Sequence, residues 1–320
     1  MKKYIIEEIN DNLAWDKFLL SSENKNIYCH STFLNLSKNI LRKFFIKKGY
    51  EIFAAFILLI KKKNIIRDSN LIYTPLIFHA QKNMSIASFI NEKYEIIEIY
   101  KDFILRSFNK IDIYFDHHLN DLRPFLWHNL KDKKKFLVND VRFTSLLDLE
   151  DLDINLDFDD TKFYKNCSVR IRQQYKYSIT RKKYKFKKNF DIKIFKKLVI
   201  KTFKRQNLLP DFQLKNISSV LQDLNNKNLL NMYYNEENNE IRSFAIFGKI
   251  LNNAIYLFGG RNFKNKDDYS LTNTLIKSFY DLRKENVKII DLEGINSPNR
   301  GFYKLGFGGR IVPYYNIKRI

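Results

Sequence analysis

The last quarter of the chain limits the fold most. Ala254–Phe258 is a short apolar run ended by Gly259-Gly260, which reads as a strand and its terminus. After Ser270, a good N-cap residue, Leu271, Leu275, Phe279 and Leu282 recur along one helical face, and the pattern stops near Asn286. Lys288–Leu292 reads as a buried strand, a proline and several glycines follow, and Arg310–Tyr315 reads as a last strand. Strand, glycine loop, helix, strand, short helix and strand in that order predict a mixed α/β module.

Upstream, the patterns at 163–176 and 192–206 predict helices, and those at 229–234 and 241–249 predict strands. Before residue 148, strands are expected at 50–60, 71–73 and 111–115 and a helix at 91–108. The acidic run 148–160, rich in turn formers, reads as a linker between a domain at 1–147 and one at 161–320. A chain of 320 residues has enough material for two such cores.

The net charge of +22 is uneven. Residues 1–150 hold 24 basic and 18 acidic groups, and residues 151–320 hold 33 and 17. The excess therefore sits in the second half, where Thr161–Phe190 contains no Asp or Glu and mixes Lys and Arg with Tyr164, Tyr175, Tyr177 and Tyr184. Interleaved cations and aromatic rings suit the phosphates of a tRNA, a nucleotide sugar or a lipid-linked diphosphate, and equally suit a solvated helix face. The longest apolar run, Ile52–Ile60, is too short for a transmembrane helix, and the N-terminus turns acidic before a signal-peptide core develops. A cytoplasmic protein is expected. Cys29 and Cys167 lie far apart, and the five histidines show no ligand spacing, so neither a disulfide nor a metal is expected. No nucleophile elbow, P-loop or paired-carboxylate signature stands out.

Two motifs carry chemistry. In the first, Gly259, Gly260, Arg261, Lys264 and Lys266 precede a helix N-terminus at Ser270, a combination suited to a pyrophosphate and also to an ordinary turn. The second runs from Asn296 to Gly309. Its Phe302-Tyr303-Lys304-Leu305-Gly306-Phe307 resembles the closing motif of GNAT acyltransferases, closely preceded here by Asn296. With Trp15, Phe18-Leu19 and Ser22 near the start, Ser168-Val169-Arg170-Ile171-Arg172-Gln173 and the Lys304–Gly309 ending, the chain resembles the FemAB-like branch of that superfamily. Tyr303 stands where the branch's "FKxGFGG" ending has phenylalanine.

The resemblance implies two tandem GNAT-like domains, each a mixed central sheet flanked by helices. It also implies acyl transfer from coenzyme A to amino sugars, or aminoacyl transfer from tRNA to peptidoglycan precursors. Tyr303 would protonate a departing thiolate, and Lys304 would stabilise the charged intermediate. Gly259, Gly260, Arg261, Lys264, Ser270 and Asn296 would contact the donor, and Arg170 and Arg172 would grip a phosphorylated acceptor. Asp116, in the Asp116-His117-His118 run after a strand, is one candidate for the base, and Asp291 or Glu293 is another. The expected donor is acyl-CoA, because no long helical arm of the kind tRNA-dependent members carry is visible. The expected acceptor is the amine of an envelope sugar or its nucleotide-linked precursor. Aminoacyl-tRNA transfer is the alternative, and a non-catalytic nucleic-acid-binding protein is a third reading.

Overall fold

The computed structural model describes residues 4–37, 40–68, 70–81, 84–131, 137–205, 214–262 and 269–319. The chain forms two compact units, Met1–Arg142 with Pro313–Ile320, and Phe143–Val312. Its end therefore returns to the first unit. The acidic segment expected as a linker lies inside the second unit, where Leu149, Leu152 and Phe158 join the core. Those apolar residues alternate with the carboxylates, so the acids face water while two 3-10 turns, Leu149–Asp151 and Phe158–Asp160, turn the apolar ones inward.

In the first unit the elements are β1 (Tyr4–Glu8), α1 (Asn12–Ser21), α2 (Ser31–Leu34), β2 (Leu41–Lys48), β3 (Glu51–Lys61), β4 (Asn64–Ile65), β5 (Leu76–Phe78), α3 (Ile86–Ser107), β6 (Ile111–Tyr114) and α4 (Arg123–Lys131). The antiparallel order is β1-β2-β3-β4, with β5 also on β3. The helix α3 buries Ile96, Ile97, Tyr100 and Ile104 against Phe44, Phe56 and Phe115. Each such side chain contributes about 1.5–3 kcal/mol by leaving water. Leu71–Tyr73 is not a strand, although Leu71 and Tyr73 are buried. An apolar run reports burial, and ladder pairing needs a neighbour that this segment lacks among the described residues.

The strand β7 (Val138–Asp148) leads into the second unit, followed by α5 (Lys162–Asn166), α6 (Val169–Thr180), β8 (Lys185–Lys188), α7 (Ile192–Arg205), α8 (Leu214–Asn226), β9 (Leu230–Glu237), β10 (Glu240–Ile250), β11 (Asn253–Arg261), α9 (Ser270–Lys284), β12 (Ile289–Asp291), α10 (Pro298–Leu305) and β13 (Arg310–Arg319). The single helix expected over 163–176 is two, because Cys167 is extended and Ser168 caps a new start by accepting from the Ile171 N–H. The sheet runs β7-β12-β11-β10-β9-β8. The β13 end, Asn316–Arg319, pairs antiparallel with β6 in the first unit.

Two irregularities shape the second sheet along β11. The parallel pair β11/β12 covers only Asn253–Ile255 with Ile289–Asp291, and beyond it β11 continues to Arg261 while β12 stops. Among the described residues no strand covers that edge of β11 past Ile255. The second is a bulge. The ladder to β10 pairs Phe247 with Tyr256 but Ile246 with Phe258, so Leu257 is the extra residue. Side chains alternate along a strand, and one extra residue reverses the alternation, which puts Tyr256 and Gly259 on the same face.

Candidate active site at the split between two parallel strands

The residues at the split form one cluster within the second unit. Lys304 on α10 reaches back so that its Nζ lies 3.4 Å from the Gly294 carbonyl and 5.5 Å from the centre of the Tyr256 ring. It thereby ties the segment after β12 to the free arm of β11. Burial lowers the pKa of its ammonium, and Glu293 and Asp291 act in the opposite direction. Its neighbour Tyr303 is partly buried, with its Oη 3.1 Å from Thr272 Oγ1 on α9. Thr272 donates to Gln174 Oε1 at 2.7 Å, and a hydroxyl has one proton, so the phenol is the donor to Thr272. Burial pushes the Tyr303 phenol well above its usual value, while the positive charges of Arg261 and Arg170 pull the other way. The phenol therefore keeps its proton at neutral pH, as a general acid must.

The carboxylates divide into two kinds. Asp291 is buried and engaged, accepting from the Thr144 hydroxyl and from the Glu293 N–H at 2.7 Å. Glu293 is only partly buried and holds φ at +63°, a left-handed conformation that costs a non-glycine residue about 1–3 kcal/mol. Its charge acts on both Lys304 and Tyr256. Sustained strain at the mouth of a split strand pair is the pattern expected of a functional position.

The expected site residues separate. Tyr303, Lys304, Arg261 and Arg170 belong to this cluster. Gly259 and Gly260 are not a loop but ladder residues of β11, opposite Ala245 and Phe244. A Cβ on Gly259 would meet Tyr256 Oη at 1.7 Å, and one on Gly260 would meet Thr202 Oγ1 at 2.7 Å. Glycine is needed there for packing against side chains. Ser270 is the first helical residue rather than the cap, which is Tyr269, and its carbonyl accepts from Asn235 Nδ2 at 3.0 Å inside the core. Asn296 makes paired bonds to the Phe143 backbone, accepting from its N–H at 2.8 Å and donating to its carbonyl at 3.0 Å. Arg172 stacks over Tyr164, 5.3 Å away, whereas Arg170 acts on Tyr303. Residues two apart on a helix diverge by about 200°, so these arginines serve different faces. Lys264 lies outside the described residues. Asp116 belongs to the first unit, fully buried, with its carboxylate accepting from the His118 N–H and facing its Nδ1, each at 3.2 Å.

Sequence reasoning missed Thr272, Gln174 and Tyr256. The first two carry no signal, since a Thr-Gln pair meets Tyr303 only through the packing of α6 on α9. Tyr256 had one, because a tyrosine three residues before a glycine pair suggests a ring in need of space.

The closing motif is also a packing device. The N–H of Ser168 donates to the Gly306 carbonyl at 2.8 Å, and Gly308, at φ +84°, leaves no room for a Cβ beside the Asn166 carbonyl. Phe307 is buried, whereas Phe302 is 77% exposed because α10 turns it away from Tyr303 and Lys304. Among the described residues no helix is long and apolar enough to cross a membrane.

No protein-family model matches the sequence, and no curated protein matches it. Solved structures do. A crystal structure of FemX is similar at a TM-score of 0.68 and 11% identity, covering 97% of this chain and 96% of that one. L-PGS from Bacillus licheniformis is similar at 0.60 and 12% identity, covering 97% and 92%. A tandem GNAT protein from the clavulanic acid biosynthesis pathway is similar at 0.52 and 9%, covering 99% and 98%. The chain has the two-domain fold of the FemAB-like, tandem GNAT proteins.

Proposed function

We propose that the chain is an acyltransferase in which an amine of an envelope sugar, or of its nucleotide-linked precursor, attacks the carbonyl of an acyl-CoA directly. The observation that carries this reading is the Tyr303–Lys304 pair at the β11/β12 split, with a proton-bearing phenol and an ammonium side by side. In the proposed reaction the amine nitrogen bonds to the carbonyl carbon and the carbonyl oxygen becomes an oxyanion. Lys304 and the uncovered edge of β11 past Ile255 offer positive charge and N–H groups to that oxygen. Collapse breaks the carbon–sulfur bond, and the thiolate takes the Tyr303 proton. The proton lost by the amine passes to Glu293, a partly buried carboxylate in the same cluster.

Arg261 and Arg170, which both act on the Tyr303 phenol, supply charge suited to the donor's phosphates. The deciding experiment offers acetyl-CoA and charged tRNA separately, with amino sugars and nucleotide amino sugars as acceptors. Thiol release that depends on an amine and vanishes in Tyr303→Phe supports the reading, and its absence with every amine refutes it.

The second reading, aminoacyl transfer from tRNA, draws on the exposure of Lys165, Arg170, Lys176, Arg181, Lys183 and Lys185 in the basic stretch. Lys162, Lys187 and Lys188 are instead paired with Asp151, Glu236 and Asp281. Amine-dependent loss of the aminoacyl group from charged tRNA, without thiol release from coenzyme A, would select it.

A further inference from the structure

Helix α7 presents a row of cations that no carboxylate neutralises. Its sheet side carries Phe195, Leu198 and Val199, all buried, and the Phe195 ring meets those of Phe244 and Phe258 at 6.3 and 5.1 Å between centres. Its other side exposes Lys193, Lys196, Lys197, Ile200, Lys201 and Lys204, whose alternating steps of three and one residues trace a single helical face. At the rise of an α-helix this row is about 16 Å long. Ile192–Arg205 contains no Asp or Glu, and among the described residues none of the five lysines forms an ion pair. Asp191, next to the helix, is engaged in capping it and accepts from the N–H groups of Lys193 and Ile194 at 2.7 and 3.3 Å.

A lysine-rich composition does not explain this arrangement. Elsewhere in the second unit Lys187, Lys188 and Lys249 pair with Glu236, Asp281 and Glu285, and α3 in the first unit mixes Glu92, Glu95 and Glu98 with Lys93 and Lys101. On α7 the pairs Lys193–Lys197 and Lys197–Lys201, four residues apart, and Lys193–Lys196 and Lys201–Lys204, three apart, repel and weaken the helix. An anionic surface laid over the row removes that repulsion.

We propose that this face of α7 docks the protein on an anionic lipid surface, with the lysines over the head groups and Ile200, 38% exposed at the centre of the row, set into the interface. Three observations favour a membrane over a nucleic acid. The face carries lysines, point charges without the planar fork that grips single phosphates. None of its described residues is an exposed aromatic on which a base could stack. Its central aliphatic side chain gains nothing among phosphates, whereas a bilayer interface buries it. The docking face also lies clear of the proposed active site. Helix α9, which carries Thr272, packs through Phe279 on Phe247, three residues along β10 from Phe244 and therefore on the opposite face of the sheet. The inference does not rest on the proposed function.

The test is flotation of the full chain with vesicles of phosphatidylcholine alone and of phosphatidylcholine mixed with phosphatidylserine. The chain should bind the acidic vesicles only, and high salt should release it. Each lysine at an acidic surface strengthens adsorption about fivefold, so Lys196→Gln, Lys197→Gln and Lys201→Gln together should weaken it by about tenfold or more, with the melting temperature unchanged. Arginine at the same three positions should preserve binding, because the surface reads charge. The exposed Lys61, Lys62 and Lys63 of the first unit supply the control, since their triple glutamine variant removes the same charge and should bind as the native chain does. The fluorescence added by Ile200→Trp should shift to the blue when acidic vesicles are present. Equal binding to neutral vesicles, an equal loss in the control variant, or an unshifted Ile200→Trp spectrum would overturn the inference. So would a preference for one acidic head group at equal surface charge, or displacement of the vesicles by a short RNA duplex.

Discussion

The Tyr303 phenol donates to the Thr272 hydroxyl across 3.1 Å, and Thr272 passes its own proton toward Gln174. This relay holds the phenol oriented and protonated between α9 and α10. Tyr303→Phe keeps the ring and removes the acid, so kcat for acyl transfer should fall by about 10²-fold or more with KM nearly constant. The lost bond should cost only about 1 kcal/mol of stability. Steady-state kinetics paired with thermal melting checks both. An equal fall in kcat for Thr272→Val would show that orientation, not proton donation, carries the effect.

Lys304 links the Gly294 carbonyl to the Tyr256 ring, and its proposed role is to face the developing oxyanion. Lys304→Met retains the packed stem and deletes the charge, so kcat should drop by about 10²–10³-fold. Single-turnover measurements at saturating donor separate this loss from weaker binding.

Gly259 has a tyrosine where its side chain would go. Gly259→Ala should destabilise the second unit by about 1–3 kcal/mol through overpacking. Tyr256→Phe in the same chain should return part of that, since the hydroxyl makes the nearest contact. Urea melts of the two single variants and the double variant give the coupling directly. Unchanged stability with weakened donor binding would restore the phosphate-loop reading.

Glu285 anchors the far end of α9. Burial alone would raise its pKa, but hydrogen bonds from Lys188, Lys249 and Asn231 bring it down from 4.5 to about 2. A folded-state pKa below the unfolded one means stability that is fully present above about pH 4.5 and is lost as pH falls toward 2. Because the carboxylate is partly exposed, solvent screening limits the contribution to about 1 kcal/mol. Melting temperatures from pH 6 to pH 2.5 should fall less steeply for Glu285→Gln than for the native chain.

Asp116 is fully buried, and although burial raises its pKa, His118 and His117 lower it below the ordinary 3.8. Its stabilisation is therefore present above pH 3.8 and lost as the solution is acidified below the folded value. Asp116→Asn should lower stability at pH 7 by about 1–3 kcal/mol, because the His118 contact loses its charge. Turnover per folded molecule should not change. A specific loss of kcat at constant melting temperature would restore Asp116 as a base.

Much of the second unit was legible along the chain. Helix α9 and the strands around it followed from apolar spacing, since period-3.6 and period-2 patterns encode which face is buried. Helix α6 did not, because its separation from α5 depends on one extended residue, Cys167, beside a serine that looks unremarkable in sequence. The glycine pair was misread because sequence cannot tell a loop glycine from one that makes room for a neighbour's side chain.

The sequence by itself determined the order of strands and helices from β9 to β13, the placement of Tyr303 and Lys304 after a buried strand, and the uneven charge. Those are local properties, fixed by periodicity and composition. Only the tertiary structure decided that the acidic run belongs to a core, that the chain's end returns to the first unit, and that Arg170 and Arg172 part company. It alone joined Thr272 and Gln174 to Tyr303. These pairings join residues 31 to 98 positions apart around Tyr303 and Thr272, and no local pattern records which distant side chains a sheet's register and a helix's packing bring together.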